Sequence, residues 1–337
     1  MKRTIHIIQY ICLIGVCVSI FYSCNRKPHY QVSISGVHID PVNIDRYEEV
    51  LFKINPFNLQ EEIQPYIETF RFFLGDEIDD PDQLRPLYDY ITDPMIKELY
   101  LDTRDIYPDL EALEESLTLA FRYYRAHYHD MPIPRIYSYI SGLDYHQPIK
   151  YASNHLVIGL DMYLGSEYPK YQRIGVPAYQ IVRMDAAYML PDIVRKIGEK
   201  HLQEPGIIPE TLLDYMVYEG KLLYFMDCLL PGLDDSFKIG YTAEQTAWML
   251  HNRGMVWSYY LENDMLYSSD RQMINKFIGD APFTSAFSRN SAPKTAAWIG
   301  WQIVREYMRR HPDISLSQLM AEQDSRKIIH ESRYRGR

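Results

Sequence analysis

The residues with the most chemical potential in this 337-residue chain are its eleven histidines, its carboxylates and its four cysteines. No two histidines are spaced as HExxH, the i, i+4 arrangement that sets two zinc ligands on one helix face. His127 and His129 are two apart and point away from each other on a helix. His251 lies in an aromatic helical stretch beside Trp248 and Trp257, the setting of a packed or partly wet side chain or of a ligand. No GxSxG elbow, P-loop or GxGxxG fingerprint occurs. Glu219 and Lys221 flank Gly220 in an otherwise apolar run, either as a solvated edge or as a polar pair lining a cleft. The pattern therefore nominates no catalytic residue, no metal-ligand set and no cofactor. It leaves one possible cleft set: Glu219, Lys221, Tyr224, Asp161 and His251.

Cysteine chemistry points elsewhere. Lys2 and Arg3 precede a mostly apolar Ile5–Ile20, and Ser23 stands immediately before Cys24. This is the layout of a secretory signal over residues 1–23, with a lipobox-like end whose cysteine becomes the lipidated first residue. Residues 24–30 then read as a lipidated tether, and 31–337 as a single domain. The expected address is the cell envelope, lipid-anchored to a membrane through Cys24 and facing the periplasm. Cys12 and Cys17 leave with the signal, so Cys228 has no intramolecular partner if Cys24 is acylated, and the fold rests on its core rather than on disulfides. Without residues 1–23 the chain carries 33 basic and 45 acidic residues, a net of −12, which argues against a nucleic-acid partner. With 47% hydrophobic and 24% charged residues, the full 337-residue composition is ordinary for a globular protein. Thirty tyrosines suit half-buried helix seams and interfaces with envelope proteins.

The elements that must position these groups are mostly helical. Alternation predicts strands over Tyr30–Ile39, 135–140 and 154–162. Helices are expected from Asn43 to Leu51, from an Asn58 capping box onward, over 82–90 and 93–104, and from Asp109 until Pro132 and Pro134 stop the pattern. Gly75 and the acidic run 76–80 end the second of these. From Pro177 the chain reads as helix after helix: 178–200 bent at Pro191, 209–230, 242–260 and one opening at Ser269. Thr295–Arg310 and a short last helix at Ser315 complete the series. The fold class is α+β, predominantly helical, with a small mixed sheet packed by helices. Trp257 is expected against the 209–230 helix near Leu223 and Phe225.

Gly220-Lys221-Leu222-Leu223-Tyr224, Leu230-Pro231, Glu244-Gln245, Trp248, Trp257 and Asp270 resemble the gliding-motility lipoprotein family GldB of Bacteroidota. So do Ile158–Gly165, Ala281-Pro282-Phe283 and Trp298–Val304. The resemblance implies a non-catalytic, membrane-anchored component supporting gliding motility or the linked secretion machinery. A second resemblance, to the layout of zincin metallopeptidases, has its first helix at Pro191-Asp192-Ile193-Val194-Arg195, with neither histidine, and Glu219 as a lone third ligand. An open zinc site needs three protein ligands. The rival reading is thus a metal-dependent hydrolase with a non-standard set: Glu219, His251 and Asp161. Zincin-type clefts hold extended chains on an edge strand. Were 154–162 at the edge, Gly159 would admit a partner backbone beside Tyr163 and Tyr168; its apolar Leu156-Val157-Ile158 fits a central strand equally.

Overall fold

The structure is a computed structural model and describes residues 30–75, 81–206 and 208–336. The predicted signal, Cys24, most of the tether and the acidic run 76–80 lie outside the described residues. The protein is α+β and predominantly helical, as its patterning implies. In chain order, β1 (Ile44–Arg46) runs into α1 (Tyr47–Leu51). Then come α2 (Leu59–Ile63), α3 (Ile67–Leu74), α4 (Pro81–Thr92), α5 (Pro94–Ile106) and α6 (Glu111–His127). β2 (Arg135–Tyr139), β3 (Ile149–Ala152) and β4 (His155–Gly159) follow, then α7 (Pro169–Arg173), α8 (Ala178–Ile181), α9 (Ala186–Gln203) and α10 (Leu212–Leu229). The remainder is α11 (Asp235–Ile239), α12 (Ala243–Glu262), α13 (Arg271–Ile278), α14 (Thr295–Arg310), α15 (Leu316–Ala321) and α16 (Ser325–Ser332).

The sheet has the order β1-β2-β4-β3, parallel except for the β3–β4 hairpin. β4 is therefore central, which overturns the edge placement of 154–162; the edges are β1 and β3. The hairpin turn is Ser153-Asn154, both at positive φ (46° and 61°), matching a two-residue primed turn. β3 escapes a sequence reading because it is four residues with a lysine in it. The pleat sorts side chains into two cores. Ile136, Leu156, Ile158 and Ile149 face the larger core with α6, α9, α10 and α14. Tyr137 and Val157 face a smaller one with α1–α4.

Several boundaries differ from the patterning for identifiable reasons. Tyr30–Ile39 is not a strand: a turn closes from Val37 N–H to the Ile34 carbonyl around Gly36 (φ 87°), and Arg122 of α6 donates to both the Ile34 and Val37 carbonyls. The strand lies at 44–46 instead, its entry fixed where Thr118 and Glu114 accept from the Val42 and Ile44 amides. Asn58 makes no side-chain cap; Asn55 caps the preceding 3-10 turn. The expected 178–200 helix is two, because Asp185 caps α9 afresh at the Ala187 amide. α10 begins at Leu212, held by a Thr211–Asp214 capping box. Asp270, not Ser269, caps α13. The capping boxes at Thr242 and Ser315 form as predicted, but α15 is not last: Asp324 caps α16 after it.

α10 is buried on nearly every side and crosses α14 at two glycines. A Cβ on Gly300 would stand 1.8 Å from the Met216 carbonyl oxygen, and one on Gly220 would stand 2.4 Å from the Gly300 carbonyl oxygen. Asp227 of α10 and Lys238 of α11 form a buried ion pair (2.8 Å), and Arg305 and the Trp301 indole of α14 also donate to Asp227. Cys228 is fully buried beside this pair. Trp257 is buried, as expected, and has Tyr334, with ring centroids 5.4 Å apart, and Gly336 of the C-terminal segment beside it.

Candidate functional site

A cleft of about 540 Å³ opens where the β3 end of the sheet meets the helical layer. α9 presents Asp192, Arg195, Lys196 and Glu199 to it, three- and four-residue steps that bring one helix face to the floor. Tyr145–Ile149, leading into β3, line it together with Tyr179, Gln180, Arg183, Met184, Tyr241 and Lys294. A smaller space of 200 Å³ continues beneath, sharing Arg183, Arg195, Asp280 and Lys294 and adding Glu219.

Every acid on this floor has a cationic partner. Arg183 Nη2 donates to Asp192 at 2.7 Å, and the Tyr163 hydroxyl donates to the other Asp192 oxygen at 3.1 Å. Arg195 Nη2 donates to both oxygens of Glu219 (3.0 and 2.9 Å), while its Nε lies 3.4 Å from Glu199. Lys294 Nζ meets Asp280 at 3.0 Å. Burial works against the Arg195 charge, yet Glu219 and Glu199 outweigh it and hold its pKa above the usual value. Burial, reinforced by Arg183 and Arg195, holds Lys294 below its usual value. Lys294 in turn depresses the Asp280 carboxyl. Arg183 Nε and Gln180 Oε1, on residues that line the cleft, are themselves buried and have no hydrogen-bond partner.

The five residues nominated from sequence do not assemble. Glu219 reaches the floor of the cleft. Lys221, two residues on, points to another side of α10, where its ammonium donates to the Glu322 carbonyl in a separate 160 Å³ space. Tyr224 is buried edge-on against Tyr30. Asp161 is buried and accepts from the Ser141 amide and hydroxyl and from the Leu143 amide, so it pins a loop. His251 is exposed on α12. The rival trio of Glu219, His251 and Asp161 is thus dispersed, and among the described residues no group of three or more His, Cys, Asp or Glu is placed to hold a metal ion. The Arg195–Glu199 spacing was visible in the sequence. The pairings 183–192, 195–219 and 280–294 join different elements and had no local signal.

Lys221 carries its own prediction. Burial pushes its pKa down to about 8, so below pH 8 the folded state holds a poorly solvated ammonium. Between pH 8 and the ordinary lysine value the unfolded chain binds the extra proton, and stability rises with pH through that window. Lys221→Met should therefore raise the unfolding midpoint at pH 7, with the gain shrinking as the pH approaches 10. A gain that does not change with pH would dismiss the ammonium as its origin.

Among the described residues no helix is long and apolar enough to cross a membrane. No curated protein and no solved structure matches the chain. A family model described as gliding motility protein GldB matches residues 27–336, which takes in the whole cleft and both cores. The chain belongs to the gliding motility protein GldB family.

Proposed function

We propose that this protein is a lipid-anchored component of the cell envelope that supports gliding motility or the linked secretion machinery by binding, without catalysing a reaction. The observation that carries the binding reading is the state of the cleft's ionisable groups. Asp192, Glu219 and Asp280 are each held by a cation, so none is left as a general base or an open ligand. On α9, where two ligands four residues apart would face a third on α10, the Arg195 guanidinium sits between Glu199 and Glu219. A fixed cation there organises the two carboxylates structurally. The lipid anchor is supported by the signal and lipobox-like pattern ending at Cys24, and periplasmic orientation by Asn25-Arg26-Lys27-Pro28, which puts no acidic residue directly after that cysteine.

Two measurements test this reading. Metal analysis of the detergent-purified mature protein should find no stoichiometric metal; stoichiometric zinc that disappears in Glu219→Ala would overturn the non-catalytic assignment. Cys24→Ser should release the protein to the soluble periplasm or leave it uncleaved, because acyl chains supply most of the membrane affinity. Mature Cys24→Ser protein that still sediments with membranes after a high-salt wash would argue against lipidation.

A further inference from the structure

The cleft floor is polar without carrying a net charge. Arg183 pairs with Asp192 and Lys294 with Asp280. Arg195 pairs with Glu219, and Lys196 with Glu199 at 3.1 Å. Each pair pins both of its members and still leaves bonding capacity unused. Asp192 accepts from Arg183 on one oxygen and from Tyr163 on the other, whereas a carboxylate has roughly four acceptor sites. Arg195 meets Glu219 through Nη2 and approaches Glu199 through Nε, and its Nη1 has no hydrogen-bond partner among the described residues. The hydroxyls of Tyr145 and Tyr188, which line the same cleft, have none either. These three atoms, unlike Arg183 Nε and Gln180 Oε1, are not buried, so a ligand can reach them. The side chains of Asp192, Glu199 and Arg195 keep 20%, 25% and 29% of their surface exposed. Donors and acceptors thus share one rigid, charge-balanced surface on a single face of α9.

These features select the class of ligand. A phosphate or carboxylate only accepts and an ammonium only donates, so either meets like charge from half of this floor. A hydroxyl both donates and accepts, so a neutral molecule rich in hydroxyls matches cations and carboxylates alike. The aromatic lining asks for a second property. Tyr145, Tyr179 and Tyr188 are half-buried there and offer apolar ring surface with polar tips. The Arg183 guanidinium lies over the Tyr188 ring, 5.4 Å from its centroid, and fixes that ring in place. A sugar ring combines the two properties, with C–H groups on its faces and hydroxyls around its edge. The volume of about 540 Å³ falls within the range of roughly 300–1,000 Å³ usual for ligand clefts. We infer that the cleft binds a neutral carbohydrate, its C–H faces on Tyr145 and Tyr188 and its hydroxyls bridging Arg195 to Asp192 and Glu199. This deepens the binding role proposed above and rests on it.

The test uses the detergent-purified mature protein and an array of neutral glycans as the probe, with sialylated and sulfated glycans printed alongside. Neutral glycans should be retained, and the best of them should bind in solution by titration calorimetry. Its affinity should hold steady as salt is raised, because no net charge is neutralised. Saturation-transfer NMR should be strongest at the C–H protons of the sugar ring. Tyr188→Phe removes only a hydroxyl and should weaken binding about tenfold, the scale of one hydrogen bond left unmade. Arg195→Lys keeps a cation for Glu219 but removes Nη1, and should act in the same direction. Tyr145→Ala should weaken binding further, since ring and hydroxyl go together. If no neutral glycan is retained above the Tyr145→Ala/Tyr188→Phe double variant, the carbohydrate site is overturned and the non-catalytic reading is untouched. Tighter retention of the charged glycans, with affinity that falls as salt rises, overturns the neutral class. Cleavage of a bound glycan instead overturns the non-catalytic reading and leaves the carbohydrate site standing.

Discussion

Gly300→Ala is expected to be among the most damaging single substitutions in this protein, although it adds one methyl group. The new Cβ would stand 1.8 Å from the Met216 carbonyl oxygen and 2.4 Å from the Met216 carbonyl carbon. Both atoms belong to the backbone of α10, so no side chain can swing aside; the two helices must separate. Alanine gains about 1 kcal/mol over glycine in helix propensity. Overpacking typically costs about 1–3 kcal/mol and more where the backbone must move, so a net loss of at least ~3 kcal/mol is expected. Against a total stability of roughly 5–15 kcal/mol, this should lower the melting temperature by many degrees or prevent folded protein from accumulating. Gly232→Ala is the control, since a Cβ there meets nothing within 4 Å. Circular dichroism melts that place Gly300→Ala beside wild type would show that the helices do not cross as described.

Asp227→Ala should rival it through electrostatics. The carboxylate is fully buried and receives Lys238 Nζ at 2.8 Å, Trp301 Nε1 at 2.8 Å, and Arg305 Nε and Nη2 at 2.7 and 2.8 Å. Lys238 is only 1% exposed at its side chain, so truncating Asp227 leaves a buried ammonium whose remaining carboxylate is the half-exposed Asp235 at 3.6 Å. Breaking a buried pair by removing one partner costs about 3–5 kcal/mol. Asp235 also pairs with Arg305 but has a half-exposed side chain, so Asp235→Ala should cost less than about 1 kcal/mol. Urea titrations at unchanged slope would measure both. Similar losses for the two variants would mean that water reaches Asp227.

The contrast between what could be read in the sequence and what could not follows from the range of the interactions. The Thr242 and Ser315 capping boxes were legible because donor and acceptor lie three residues apart. Thr295–Arg310 was legible because its apolar stripe repeats at helical spacing. Tyr30–Ile39 alternates like a strand, yet its carbonyls are taken by Arg122, more than eighty residues away. β1 spans three residues and exists because Ile44 meets Ile136 in parallel register. The cleft was half visible: Glu219 was singled out, but its partner Arg195 was read only as a missing histidine. A salt bridge between two helices leaves no periodic trace, so Arg183, Asp280 and Lys294 surfaced only once the chain was folded.

Cys228 has a use that follows from its position. Beyond residue 24 it is the only cysteine, it is fully buried, and burial drives its thiol pKa well above the ordinary value. A thiolate is the species that reacts, so the folded protein should be inert to maleimides and to thiol oxidants. Alkylation must await an opening that exposes this face of α10. Its rate then acts as a clock on the rarest fluctuation of the molecule, readable on native protein without denaturant.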